Sequence, residues 1–230
     1  MHTRFIAFSA AFMLLLIACG TAVKNTARVS MVSGEAYVLR GGETVPLTNN
    51  ALISESETVV TGKNGAVLLD IGNGSGLVEV QHSTAFSLKT INSPKKSVSI
   101  KRGNVWIMIK KLAAEEGFYF TTPVSSAAVR GTKFYSFEMG DMRGMCHCEG
   151  SVEYKAGDYA ATNSGDYIVF TKDNHSIVVT QDDMRSIGMR GHNHSVMNGS
   201  IIGAEPSKAA QKNMPKLMKL VEKKFAAAKQ

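Results

Sequence analysis

From Val29 to Thr180 the chain is a succession of short β-branched and apolar runs, broken at regular intervals by Gly, Asn and Asp. Alternation is cleanest at Asn104-Val105-Trp106-Ile107-Met108-Ile109, where Val105, Ile107 and Ile109 share one face of a period-2 pattern. Trp106 falls on the opposite face, so this strand is expected to be covered on both sides. The pattern predicts strands at 29–32, 35–40, 57–61, 65–71, 76–81, 84–90, 97–101, 103–110, 117–121, 133–138, 144–148, 150–155, 166–171 and 175–180. Strands repeating every 8–12 residues or so, with turn signals between them, are the mark of a sandwich or barrel. Gly41-Gly42, Gly62-Lys63-Asn64-Gly65 and Gly72-Asn73-Gly74 supply turns that tolerate positive φ.

The pattern changes at both ends. Residues 181–205 are polar and contain Gly, Met and His, and are read as a loop segment. Residues 206–230 read as a helix that opens on Pro206, with Leu217, Leu220, Val221 and Phe225 at helical spacing and lysines on the other face. Pro215 either starts a new helix or kinks this one. The helix either packs on the sandwich or meets a membrane surface or partner. At the N-terminus the apolar run Phe5 to Ala18 is about fourteen residues long, short of the roughly 20 that span a bilayer. That length suits the h-region of a signal peptide. Leu16-Ile17-Ala18-Cys19-Gly20 resembles a bacterial lipobox, which makes residues 1–18 a lipoprotein signal peptide and Cys19 the acylated first residue of the mature protein. Residues 19–28 are then a polar tether and 29–180 the β domain. Gly20, where Asp would mark inner-membrane retention in Gram-negative sorting, points to the outer membrane. The expected location is the bacterial envelope, on the periplasmic or surface side.

Composition adds two limits. Apolar residues make up 44% and charged residues 20%, values that let a chain of this length fold around a real core. The net charge is +7, and +6 once residues 1–18 with Arg4 are removed. It is dispersed over Lys95-Lys96, Lys101-Arg102, Lys110-Lys111 and the C-terminal lysines, with no aromatic-interleaved basic stripe. No nucleic acid partner is expected. Membrane contact is expected through Cys19, and a protein or envelope ligand is the expected partner.

Five segments, taken in order, resemble the FecR domain family over about residues 29–170. Val32-Ser33-Gly34-Glu35-Ala36-Tyr37-Val38 is similar to the opening strand, and Thr58-Val59-Val60-Thr61-Gly62-Lys63-Asn64-Gly65-Ala66-Val67-Leu68 to the family's next segment. Arg102-Gly103-Asn104-Val105-Trp106 resembles a later strand. Phe120-Thr121-Thr122-Pro123 with Ala128-Val129-Arg130-Gly131-Thr132-Lys133-Phe134 resembles the T-P…A-x-V-R-G-T-x-F signature. Cys148-Glu149-Gly150-Ser151-Val152-Glu153-Tyr154 resembles the closing strand. The resemblance implies an all-β, antiparallel, jelly-roll-like sandwich, to which the C-terminal helix is an extension. Founding members of the family carry a cytoplasmic anti-sigma segment, one membrane span and an exported domain that hears a TonB-dependent receptor. This sequence has neither the segment nor the span, so an exported binding or signalling module is expected rather than sigma regulation. Arg130, Gly131 and Thr132 are the candidate signature residues, for a ligand or for the fold. Gly131 would provide a positive φ or close approach, and Arg130 would meet turn carbonyls or a carboxylate such as Glu149.

Cys146-His147-Cys148 and His192-Asn193-His194 form the one constellation with chemical potential. On a strand, Cys146 and Cys148 point to one face and His147 to the other. Their Cα atoms would be about 6.5–7 Å apart, at the limit for a disulfide. Two thiolates and two imidazoles suit tetrahedral zinc, and thiolate also suits copper(I). The metal set is therefore Cys146, Cys148, His192 and His194, with zinc or copper as the cofactor. A redox-labile disulfide and inert apolar packing stand beside it. A C-x-C at this strand with histidines downstream is also similar to that of other FecR-like exported proteins. There is no G-x-S-x-G, H-E-x-x-H, phosphate-binding loop or dinucleotide fingerprint, so catalysis is not expected. A purely structural envelope protein is the remaining reading.

Overall fold

The structure is a computed structural model that describes residues 26–72, 74–164, 167–189 and 208–228. Cys19, His192 and His194 lie outside the described residues. Strands come first along the chain: β1 (Ala27–Ser33), β2 (Ala36–Arg40), β3 (Glu43–Pro46), β4 (Leu52–Ile53), β5 (Thr58–Thr61) and β6 (Ala66–Ile71). Next are β7 (Gly76–Val80), β8 (Ala85–Thr90), β9 (Lys95–Arg102), β10 (Val105–Ile109), β11 (Gly117–Thr121) and β12 (Ser125–Val129). The last are β13 (Thr132–Met139), β14 (Met142–Glu149), β15 (Ser151–Ala156), β16 (Tyr159–Ser164), β17 (Tyr167–Lys172) and β18 (His175–Thr180). Two helices follow among the described residues, α1 (Gln181–Ser186) and α2 (Lys208–Ala228).

The strands form two nine-stranded sheets. A front sheet runs β18-β17-β14-β13-β10-β7-β6-β1-β4, and a back sheet β16-β15-β12-β11-β9-β8-β5-β2-β3. This is the expected all-β sandwich with a C-terminal helix. Its strands are laid down almost in chain order, the chain passing from one sheet to the other every one or two strands. Every pairing is antiparallel except β9 with β11, which run parallel because residues 103–116, including β10 in the other sheet, separate them. The inward residues of both sheets make one core, with Val67, Leu69, Ile107 and Phe134 from the front and Phe86, Val98, Phe118 and Phe120 from the back. Phe120 meets Phe134 edge-on across the interface, with centroids 5.3 Å apart.

Near the C-terminus the structure departs from the sequence pattern in one place and decides between its alternatives in another. The segment 181–205 begins with α1, closed by a capping box in which Asp183 N–H donates to Thr180 Oγ1 (3.3 Å) and Thr180 N–H to Asp183 Oδ2 (2.8 Å). Of the two readings of Pro215, a second helix starting there is excluded, since α2 runs through it. Leu217, Val221 and Phe225 of α2, one turn apart, are buried.

Candidate functional site

Those three residues lie on the outward face of the front sheet, where they form a second apolar cluster with Met142, Cys146 and Cys148 of β14, Ile168 and Phe170 of β17, Ile177 and Val179 of β18, and Met184 of α1. Strand β14 is consequently buried from Met142 to Cys148 on both sides. An aromatic row edges the cluster. Trp106 stacks on Tyr135 (centroids 4.4 Å), Tyr135 on Phe137 (5.1 Å), and Phe137 meets Phe170 edge-on (5.7 Å). Trp106 is therefore on the covered outer face, as the alternation around it implies. Lys224 of α2 pairs with Asp183 of α1 at 2.7 Å, which ties the two helices together above the sheet.

Cys146 and Cys148 share this outward face, and His147 is on the opposite side, as alternation requires. Their Sγ atoms are 3.7 Å apart, so the thiols approach each other without a disulfide bond. Tyr135 stands directly opposite Cys146 on β13, and Ile168 opposite it on β17. The Tyr135 phenol is driven well above its ordinary range by burial, with Glu79 and Cys146 adding to the rise. His147, 1% exposed, packs edge-on against Tyr167 with centroids 5.1 Å apart. Among the described residues, no group of three or more His, Cys, Asp and Glu stands together.

The signature residues occupy a different place. Gly131 joins β12 to β13 at φ +77°, and a Cβ there would lie 2.8 Å from Lys111 Cα, so only glycine fits. A Cβ on Gly150 would lie 2.3 Å from the Gly131 carbonyl oxygen. The R-G-T and E-G segments thus touch backbone to backbone, and the Thr132 hydroxyl donates to Ser151 O at 3.2 Å. Arg130 is exposed, and Glu149 pairs with Lys133 at 2.8 Å instead.

The burial of Glu79 and Arg143 has no signal in the sequence. Glu79 of β7, opposite Trp106, is 3% exposed, and burial pushes its carboxyl up to about 7. Gln81 Nε2 donates to Glu79 Oε1 at 3.4 Å, and the Tyr135 hydroxyl donates to Gln81 Oε1 at 2.8 Å. In the sequence Glu79 reads as an outward, solvated residue, because the tryptophan beside it comes from β10. Arg143 of β14 is 5% exposed, donating to Gly103 O at 3.3 Å and pairing with the Glu138 carboxylate. Its position in a C-x-C strand gave no hint of burial. A cleft of about 320 Å³ beside α2 is lined by Asp141, Lys172, His175 and Glu222, among others. Asp141 there pairs with Lys172, and His175 hydrogen-bonds Asp158. No helix among the described residues is long and apolar enough to cross a membrane.

Residues 57–153 match the model of the FecR protein family. The matched stretch runs from the start of β5 into β15 and includes strands of both sheets and the Gly131–Gly150 contact. Two crystal structures of a candidate anti-sigma factor from Parabacteroides distasonis are similar to the chain at 11% identity and a TM-score of 0.48. Each likeness covers 56% of this chain and 62% of that one, so the chain spans less than two thirds of that protein's length. No curated protein matches the chain.

Proposed function

With residues 57–153 a FecR-family segment, we propose that the chain is a non-catalytic signalling module of the bacterial envelope. It is exported and held to a membrane by acylated Cys19, and it works by binding a protein partner. The family match carries this reading, because FecR proteins are envelope-associated signalling proteins. Gly131 and Thr132 serve the fold in it, since they fix the β12–β13 turn against β15. Arg130, exposed beside that turn, is the signature residue left to meet a partner.

The test is made in the native host. A strain lacking the protein is complemented with the wild type, with Cys19→Ser, or with Arg130→Ala, then tracked by fatty-acid labelling, membrane fractionation and transcript profiling. The expected outcome is an acyl label lost in Cys19→Ser and a defined transcript set restored by the wild type alone. A label retained in Cys19→Ser would sink the anchor. Transcripts indifferent to the deletion would sink the signalling role and leave a structural envelope protein.

A second reading is supported by the 3.7 Å approach of Cys146 Sγ and Cys148 Sγ on one covered face. In it the thiols, with His192 and His194 from the segment after α1, hold zinc or copper, or the thiols alone form a redox pair. Metal content of the purified protein, beside that of a Cys146→Ser/Cys148→Ser form, separates the two. One metal per chain lost in the variant favours ligation; no metal and two titratable thiols that disappear on mild oxidation favour the redox pair.

A further inference from the structure

Sulfur is concentrated under α2. Besides Cys146 and Cys148, the covered cluster holds Met142 and Met184, with Met139, Met189 and Met218 packed at its margin. At least five of the chain's twelve methionines, counted among the described residues, therefore belong to this cluster or pack against it. They do not all approach the cysteines equally. Met139 and Met142 pair at the β13–β14 hairpin, four or more residues along from Cys146. At the other end the register runs from His147 to Tyr167 and from Tyr167 to Thr180, the residue that caps α1. Met184 of α1, 2% exposed, follows that cap by four residues and belongs to the same cluster as the two cysteines.

The spacing of the thiols is that of a bent chelate. With metal–sulfur bonds of about 2.3 Å, two sulfurs 3.7 Å apart subtend roughly 107° at a shared ion. Two-coordinate copper(I) would demand a near-linear arrangement, so a bend of this size calls for a further donor. Zinc calls for four nitrogen, sulfur or oxygen ligands, and among the described residues no third His, Cys, Asp or Glu stands with the pair. Thiolate and thioether are the donors that select copper(I), and the covered cluster supplies both in an apolar setting.

We infer that Cys146 and Cys148, with the thioether of Met184, form a buried three-sulfur site for copper(I). The inference rests on the metal reading of the two thiols and narrows it to one ion and one donor set. The ion displaces the thiol protons to solvent, so binding strengthens as pH rises. Copper stays in the +1 state throughout and no electron is transferred.

The test uses the full mature chain, purified in detergent and stripped of metal under anaerobic, reducing conditions. Copper(I) is presented from bicinchoninate, and zinc(II) is titrated separately, with Cys146→Ser/Cys148→Ser, Met184→Leu and His192→Ala/His194→Ala forms alongside. Circular dichroism and a thermal melt establish that each form is folded. The expected result is one copper(I) per chain with thiolate-to-copper absorption in the ultraviolet and three sulfurs by X-ray absorption. The signal vanishes in the cysteine form, weakens roughly tenfold or more in Met184→Leu, and is unchanged in the histidine form. One zinc per chain that needs both histidines, or copper affinity indifferent to Met184→Leu, would overturn the inference and leave the metal reading standing. A folded wild type that takes up neither ion would overturn both.

Discussion

The two sheets alternate in the same way, yet their outer faces have nothing in common. On the back sheet Thr58, Ser87, Ser99, Thr121 and Ser126 stand in register across five neighbouring strands. All five are at least partly exposed. On the front sheet the residues in register across β10, β13, β14 and β17 are Trp106, Tyr135, Cys146 and Ile168, and all four belong to the second apolar cluster or pack against it. The inward pattern is equally apolar in both sheets and builds a single core. What the outward residues are decides whether a sheet ends in water or becomes the floor of a second core. Burying Leu217, Val221 and Phe225 contributes roughly 1.5–3 kcal/mol for each side chain, enough to hold α2 in place.

The largest expected effect comes from breaking that cover. Val221→Asp places a carboxylate in the second core and should cost about 3 kcal/mol, read by urea unfolding, while limited proteolysis shows α2 cut first. Ser99→Asp, the matching insult to the bare face, should cost under about 1 kcal/mol. Equal effects would erase the distinction between the faces. Gly131→Ala tests the frame common to both sheets, because the turn links β12 at the back to β13 at the front. Positive φ and the approach to Lys111 Cα should cost about 2 kcal/mol, measured as a lower unfolding midpoint.

Most of this contrast was legible in the sequence. Val105, Ile107 and Ile109 on one side and Trp106 on the other already pointed to a strand with two covered faces, while the stripe Leu217, Leu220, Val221 and Phe225 left open whether its helix would pack on the sandwich or on a membrane or partner. Strands β3, β4, β12 and β16 were not legible. The first two are short edge pieces, and Ser125-Ser126-Ala127-Ala128 and Tyr159-Ala160-Ala161-Thr162 are rich in small residues that carry little strand signal. Helix α1 was signalled only by Thr180 and Asp183, the two halves of its capping box. At the site, alternation placed both thiols on one face. Their approach to 3.7 Å and the burial of Met184 in the same cluster depend on rotamers and register, which no local pattern encodes. Glu79 was hidden for the same reason, its neighbours coming from other strands.

A smaller, pH-dependent effect sharpens the comparison from the front face. The Glu79 carboxyl rises from an ordinary 4.5 to about 7 in the fold. Between those values the unfolded chain has released its proton while the folded one retains it, so stability falls as pH rises from about 4.5 to 7 and levels off beyond. Glu79→Gln should remove that decline and leave the protein more stable at pH 8 than the wild type. Glu57, held below the usual carboxylate range despite burial by its bonds to Arg40 and Ser54, acts in the opposite sense. Its contribution is lost as pH falls through that lowered range, and Glu57→Gln should flatten the acid limb of the same melting curve.

The covered face is tested most directly by the reactivity of its thiols. The full mature chain, treated with chelator and reductant and then desalted, is exposed to a thiol reagent with and without denaturant. The expected result is two cysteines that react at least roughly tenfold more slowly in the native protein than in the unfolded one, with protection lost in Val221→Asp. Two thiols that react at once in the native wild type would mean that α2 does not seal the front sheet, and the contrast between the two faces would fall with it.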